Sequence, residues 1–229
     1  MPNSDNAAHC SGKLIVLEGL DGSGKSTQLE RLHKHCESAG CNVRHIKLPD
    51  YGSPACAPVE MYLDGNLGGS PADVNAYAAS SFYAIDRFIS YRTKWRDDYE
   101  AGTLLLADRY TTSNAYHQMV KLPDWEWDGF LDWLEDYEYT KLGLPRPSLV
   151  IYLDMPVEVS RGLMKKRGQM DIHERDTAYL SACRIAAHYV AERLGWQVVP
   201  CAEHGEPLSA ELIERAVRDC VAPLLESAQ

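Results

Sequence analysis

Short apolar stretches punctuate the chain at Leu14 to Leu17, Asn42 to Leu48, Thr103 to Ala107, Leu149 to Leu153 and Gln197 to Val199. Each is bounded by glycine, proline or polar residues and reads as a strand. The first, third and fourth lack polar alternation, which implies burial on both faces, as in a parallel sheet. Between these stretches the apolar positions recur at helical spacing. Leu29, Leu32 and Cys36 mark a helix from about Ser26 to Ala39 that stops at Gly40. A short helix is expected around Val59 to Leu63. Ser70-Pro71-Ala72-Asp73 predicts a helix start, with serine as cap and proline in the first turn, running on to about Trp95. Asp124 to Tyr139 places Phe130, Trp133, Leu134 and Tyr137 on one face, the mark of core or of a subunit interface. Helices are also expected beyond Pro156, from Asp176 to Leu194, and from a Ser209 cap through Leu225. Strands alternating with helices predict an α/β fold with a five-stranded parallel sheet flanked by helices.

One stretch adds chemistry to this pattern. Gly19-Leu20-Asp21-Gly22-Ser23-Gly24-Lys25-Ser26 fits glycine, four residues, glycine, lysine, serine, and it joins the first strand to the first helix. Successive backbone N–H groups in such a loop turn inward on a phosphate chain, and the following helix adds positive potential. Lys25 is expected on the β and γ phosphates and Ser26 on a magnesium ion. The expected class is therefore a P-loop NTPase fold. Kinases, switches and motor ATPases share this loop, so it does not name a reaction.

Composition narrows the picture. A net charge of −10 over 229 residues argues against a nucleic-acid scaffold. No apolar run approaches the roughly 20 residues of a spanning helix. Seven scattered cysteines without a Cys-x-x-Cys pair suggest neither a zinc site nor a disulfide framework. The expectation is a cytoplasmic protein with a flexible tail over residues 1–12 and a single domain over residues 13–229.

Several further groups fall where ligands bind in doubly wound folds, at the carboxyl ends of strands. Pro49, Asp50 and Tyr51 form a loop after the second strand. Asp108 and Asp154 end the third and fourth strands, so two carboxylates can stand on the metal side; Asp108 is preferred because Arg109 follows it, and Asp154 suits a helix cap before Pro156. Tyr83 and Arg87 lie four apart on one helix face. Spacing alone favours a core tyrosine beside a solvated arginine. Thr111 to Asn114 can cap a helix or contact a sugar and base. Lys165-Lys166-Arg167, with Asp171 and Glu174 just beyond, is either a solvated helix end or a lid.

Taken together these motifs resemble the thymidylate kinase family from Leu14 to about Trp196. Glu18 to Gln28 is similar to the family's phosphate loop, Phe82-Tyr83-Ala84-Ile85-Asp86-Arg87 to its base-binding helix, Asp108-Arg109-Tyr110 to its Asp-Arg-Tyr/His signature, and Leu142 to Pro147 to the segment before its fourth strand. The resemblance implies ATP-dependent, magnesium-assisted phosphorylation of dTMP to dTDP, usually by a homodimer. It assigns Gly19, Gly22, Ser23, Gly24, Lys25, Ser26 and Thr27 to the ATP phosphates, and Asp21 to the loop and the sugar 3′-hydroxyl. Pro49 and Tyr51 belong to the loop facing the acceptor. Tyr83 stacks on thymine, Arg87 binds base or phosphate, Arg109 grips the monophosphate, and Ser113 and Asn114 contact the base. Ser26 and Asp108 stand by the metal. Lys165, Arg167, Asp171 and Glu174 form a lid over about 165–175, with Arg167 as the catalytic cation. Two departures stand out: the residue crowding the sugar 2′ position falls on either Tyr116 or His117, and His173 replaces the lid's usual arginine or tyrosine.

On this reading the acceptor is a phosphate whose second pKa is near 6, so no general base is needed. Three other readings stay open, one of them a nucleoside monophosphate kinase for another acceptor. A deoxynucleoside kinase needs a base such as Glu18 or Asp108. A nucleotide-dependent switch protein needs no acceptor site.

Overall fold

A computed structural model describes residues 13–164 and 176–226; the expected tail and the expected lid over 165–175 lie outside them. Five parallel strands form one sheet in the order β2-β3-β1-β4-β5: β1 (Leu14–Glu18), β2 (Val43–Lys47), β3 (Leu104–Asp108), β4 (Leu149–Asp154) and β5 (Gln197–Pro200). The central β1 pairs with β3 from Leu14↔Leu105 to Leu17↔Asp108 and with β4 from Ile15↔Leu149 to Glu18↔Tyr152. This register brings the carboxyl ends of β1 and β3 level, so Asp108 lies beside the start of the phosphate loop.

Strand alternation divides the core in two. Leu14 and Val16 face one layer with Leu105, Tyr152, Phe130 and Val190, while Ile15 and Leu17 face the other with Leu29, Leu32, Leu106 and Val217. All five residues of β1 are buried, which is why its sequence is an unbroken apolar run up to Glu18. Truncating one of these leucines to alanine is expected to cost about 2–5 kcal/mol.

Helices α1 (Lys25–Ser38), α2 (Ala57–Leu63), α3 (Ala76–Ser90), α4 (Arg96–Glu100), α5 (Thr111–His117), α6 (Trp127–Glu135), α7 (Val157–Met164), α8 (Thr177–Leu194) and α9 (Ala210–Glu226) connect and cover the strands. Two of the expected long helices are interrupted. Ser70 and Asp73 form a reciprocal capping box that closes only a 3-10 turn at Pro71–Asp73; Val74 is extended, and α3 restarts with Asn75 Oδ1 accepting from the Ala78 amide at 2.8 Å. The chain then passes through a π-helical turn at Tyr91–Trp95 into α4. The acidic aromatic segment likewise splits into a 3-10 turn, α6, and a π-helical turn at Asp136–Lys141. Such widened turns re-aim side chains and occur often at functional sites. A small hairpin of β6 (Ala202–Glu203) and β7 (Glu206–Pro207), not expected from the sequence, precedes α9.

Candidate active site

The phosphate loop leaves β1 at Gly19, whose φ is +148°. A Cβ there would stand 2.6 Å from Ser23 Oγ and 2.8 Å from the Leu153 carbonyl oxygen, so the close approach of two strand ends excludes any side chain. Gly24, at φ +90°, ends the loop and begins α1. Gly19 and Ser23 are buried beneath the loop, whereas Asp21, Gly22, Gly24, Lys25, Ser26 and Thr27 line a cavity of about 710 Å³ with Lys47, Tyr51, Asp108 and Arg109. Lys47 is a cation that sequence reading left as an ordinary strand residue; only the pairing of β2 with β3 shows that it ends opposite Asp108.

Lys25 is buried, and its Nζ donates to the carbonyls of Gly19 at 2.8 Å and Leu20 at 3.0 Å. Burial, reinforced by the Arg109 charge, lowers its pKa to about 8, although Asp21, Asp108 and Glu18 oppose the shift. The ammonium is thus held by partners that a phosphate can displace. For Asp21 burial pushes the pKa upward, but Arg109, Lys25 and His117 outweigh it and hold the carboxylate well below the usual range.

Arg109 is the junction of the site. It follows β3 with φ +67°, a conformation unfavourable for a residue with a side chain, and strain of this kind clusters at functional positions. Its Nη2 donates to Asp21 at 2.7 Å; its Nη1 donates to the Tyr116 hydroxyl at 3.2 Å and Ser113 Oγ at 3.4 Å, with His117 Nε2 at 3.3 Å. Glu18 underpins this arrangement from the end of β1. Fully buried, it accepts from the Tyr110 amide at 3.1 Å and from the hydroxyls of Thr112 at 2.6 Å, Ser113 at 2.7 Å and Tyr116 at 2.9 Å. Those bonds tie the strained turn and the start of α5 to the central strand.

On the other side of Arg109 a second cavity, of about 740 Å³, runs inward between α3 and α5. Asp21, Pro49, Tyr51, Tyr83, Arg87, Arg109, Ser113, Asn114 and His117 line it, and so do Gln118 and Leu63, which sequence reading did not single out. Helical spacing explains the group on α5: Ser113 and His117 are four apart and share a face. Of the two candidates for the residue beside the sugar, only His117 lines the cavity. Tyr116 points about 100° away, is fully buried, and acts through its hydroxyl on Glu18 and Arg109. Tyr83 presents a partly buried ring set edge-on against Tyr62 at 6.4 Å. Arg87 is not solvated, as spacing alone suggested, but buried and doubly hydrogen-bonded to Glu138. Asp154 lines neither cavity. Instead of capping a helix it pairs with Arg184 at 2.6 and 2.8 Å and with His188 at 3.1 Å.

The two cavities share a wall made of Asp21, Leu48, Pro49, Tyr51 and Arg109. Two anionic ligands can therefore meet at one guanidinium. The phosphate-loop cavity also carries the exposed Ser26 hydroxyl and the Asp108 carboxylate, both oxygen donors of the kind magnesium takes. Among the described residues no group of three His, Cys, Asp or Glu gathers into a metal cage. Two protein oxygens suit an ion that keeps phosphate oxygens and waters as its other ligands. Lys165, Arg167, Asp171 and Glu174 lie outside the described residues.

A family model described as thymidylate kinase matches residues 17–211. Thymidylate kinase of Mycobacterium tuberculosis is 30% identical over 159 residues, covering 69% of this chain and 73% of its own length. That of Schizosaccharomyces pombe is 25% identical over 205 residues, covering 89% and 90%. The solved structure of thymidylate kinase from Candida albicans superposes with a TM-score of 0.70 at 18% identity, over 96% of this chain and 94% of its own, which is a likeness of fold.

Proposed function

We infer, from the premise that this chain belongs to the thymidylate kinase family, that it is a nucleoside monophosphate kinase transferring the γ-phosphoryl group of ATP to dTMP to form dTDP. The observation that carries the mechanism is the shared wall. ATP phosphates on the loop and a monophosphate in the inner cavity converge on Arg109 and Asp21 from opposite sides. The acceptor oxygen is already ionised at neutral pH, so the residues need only align it with the γ phosphorus and neutralise charge. Lys25, Lys47 and the loop amides hold the donor, Arg109 holds the acceptor phosphate, and Asp21 accepts from the sugar 3′-hydroxyl. His117 crowds the 2′ position. Tyr83, Arg87 and Asn114 receive the base. Ser26 and Asp108 would hold magnesium, which when bound supplies further charge neutralisation at the phosphates. Arg167 and the rest of the 165–175 lid add the closing cation.

A deoxynucleoside kinase is disfavoured by the carboxylates. All four bonds that Glu18 accepts come from its own fold, and Asp108 lines only the phosphate-loop cavity. Neither is placed to deprotonate a hydroxyl in the inner cavity. A switch protein has no use for that cavity. The test is magnesium-ATP turnover with dTMP, dUMP, dCMP, dGMP, ribose TMP and thymidine as acceptors. Turnover led by dTMP is expected; turnover of thymidine without dTMP refutes the assignment, and ADP release independent of any acceptor supports the switch.

Cytoplasmic residence is supported by Cys56, Cys183, Cys201 and Cys220, which are free thiols, as expected of a reducing compartment. No helix among the described residues is long and apolar enough to cross a membrane. A homodimer is supported by Ile85 and Ile89, exposed four residues apart on one face of α3. Ile89→Asp is expected to shift the protein to a monomer by light scattering; a monomeric wild-type protein excludes the dimer.

A further inference from the structure

Glu138 sits in the π-helical turn after α6 and is fully buried, yet no step of the transfer uses it. Four donors reach its carboxylate. Arg87 Nε donates to Oε2 at 2.6 Å and Nη2 to Oε1 at 3.2 Å; Thr111 Oγ1 donates to Oε2 at 2.7 Å and Asn114 Nδ2 to Oε1 at 3.1 Å. Each oxygen thus accepts twice, and the carboxylate is saturated.

This saturation determines what the inner cavity offers a base. Asn114 gives its other Nδ2 hydrogen to the Ser80 carbonyl at 3.2 Å. Both of its partners can only accept, so chemistry orients the amide, and Oδ1 is the hydrogen-bonding capacity left for a ligand. Arg87 gives one hydrogen each from Nε and Nη2 to Glu138, which leaves the remaining Nη hydrogens as donors on a residue that lines the same cavity. The site therefore presents an acceptor beside a donor. A pyrimidine with an N3–H and a 4-oxo group complements both. Cytosine inverts both, setting the N3 lone pair against Oδ1 and the 4-amino group against the guanidinium.

We propose that Glu138 is a positioning residue that sets the hydrogen-bond polarity of the base site, and through it the selection of 4-oxo over 4-amino pyrimidine monophosphates. The proposal rests on the reading of the inner cavity as the acceptor site. Sites built to hydrogen-bond a particular group reject its inverted analogue strongly because buried polar groups are left unpaired. Glutamine at this position has about the same shape but supplies one acceptor oxygen and adds two donors facing Arg87 and Asn114. Both readers are then free to reorient.

The experiment measures kcat and KM for dTMP and dCMP on the same preparations of wild type, Glu138→Gln and Glu138→Asp, so that any unfolded fraction cancels in the ratio. The expected result for Glu138→Gln is a fall of at least tenfold in the dTMP to dCMP ratio of kcat/KM. It should arise mainly as a raised KM for dTMP, with ATP binding unchanged. Glu138→Asp, which keeps the charge but draws it back by one methylene, is expected to fall between, by at least threefold. It carries the same readout if the Gln variant does not fold. A ratio unchanged within threefold in folded variants, or equal losses for both acceptors through kcat alone, overturns the proposal. A wild-type enzyme without preference for dTMP overturns the acceptor-site reading first, before any variant is made.

Discussion

Removing the Arg109 side chain tests the centre of the argument. In Arg109→Ala the site loses the donor to Asp21 at 2.7 Å and the donors to Tyr116 and Ser113, as well as the guanidinium common to both cavities. A charge-assisted hydrogen bond to a phosphate in a water-poor site contributes about 1.5–2 kcal/mol, so two of them are worth about 3–4 kcal/mol. At about 1.4 kcal/mol per tenfold, kcat/KM for dTMP should fall roughly 10²- to 10³-fold. ATP binding without acceptor, read by isothermal titration, should weaken by a smaller factor, no more than about tenfold, because Lys25, Lys47 and the loop amides remain. The backbone supplies an independent check. Alanine at φ +67° keeps the left-handed penalty of about 1 kcal/mol whereas glycine does not, so Arg109→Gly should melt about 2–4 °C above Arg109→Ala. Equal losses toward dTMP and ATP, or an alanine variant more stable than the glycine one, refute the reasoning.

Lys25→Met is expected to abolish turnover with every acceptor while leaving the fold intact, as judged by circular dichroism. The burial-lowered pKa of Lys25, about 8 against an ordinary value of 10.5, gives a signed pH dependence. Between these values the unfolded chain binds more protons, so the ligand-free protein should gain stability as pH rises from about 8 to about 10.5, and a Lys25→Met protein should lack that gain in thermal melts. ATP affinity should run the other way, weakening above about pH 8 as the ammonium loses its proton; a flat affinity from pH 7 to 9.5 contradicts this. Glu18→Gln should destabilise by about 2–4 kcal/mol in urea unfolding, since four donors, three of them buried, lose part of their acceptor, and a loss below about 0.5 kcal/mol shows the network to be dispensable.

Much of the site was legible as sequence because its chemistry is local. The phosphate loop needs consecutive backbone amides, so Gly19, Gly24 and Lys25 have to be near neighbours in the chain. The run from Asp108 to Asn114 was legible for the same reason, since one strand end spans it, whereas Tyr83 and Arg87 were assigned only by the family resemblance, spacing alone having favoured a core tyrosine beside a solvated arginine. What resisted reading were groups that act across elements. Lys47 acquires its place from strand pairing, Gln118 from the angle at which α5 ends, and Asp154 finds its partners on α8 rather than in its own turn. The helices expected as continuous over 70–95 and 124–139 break because Val74 stays extended and two π-helical turns intervene, and periodicity cannot register one inserted residue.

The sequence by itself determined the α/β alternation, the phosphate loop and its strand-to-helix context, because apolar periodicity and glycine spacing act over a few residues. Only the tertiary structure decided that Arg87 is held by Glu138, that His117 rather than Tyr116 faces the cavity, and that two cavities share the wall at Arg109. Those relations join residues far apart in the chain. They depend on strand order and on which donors are left once buried partners are satisfied, and no local pattern encodes that count.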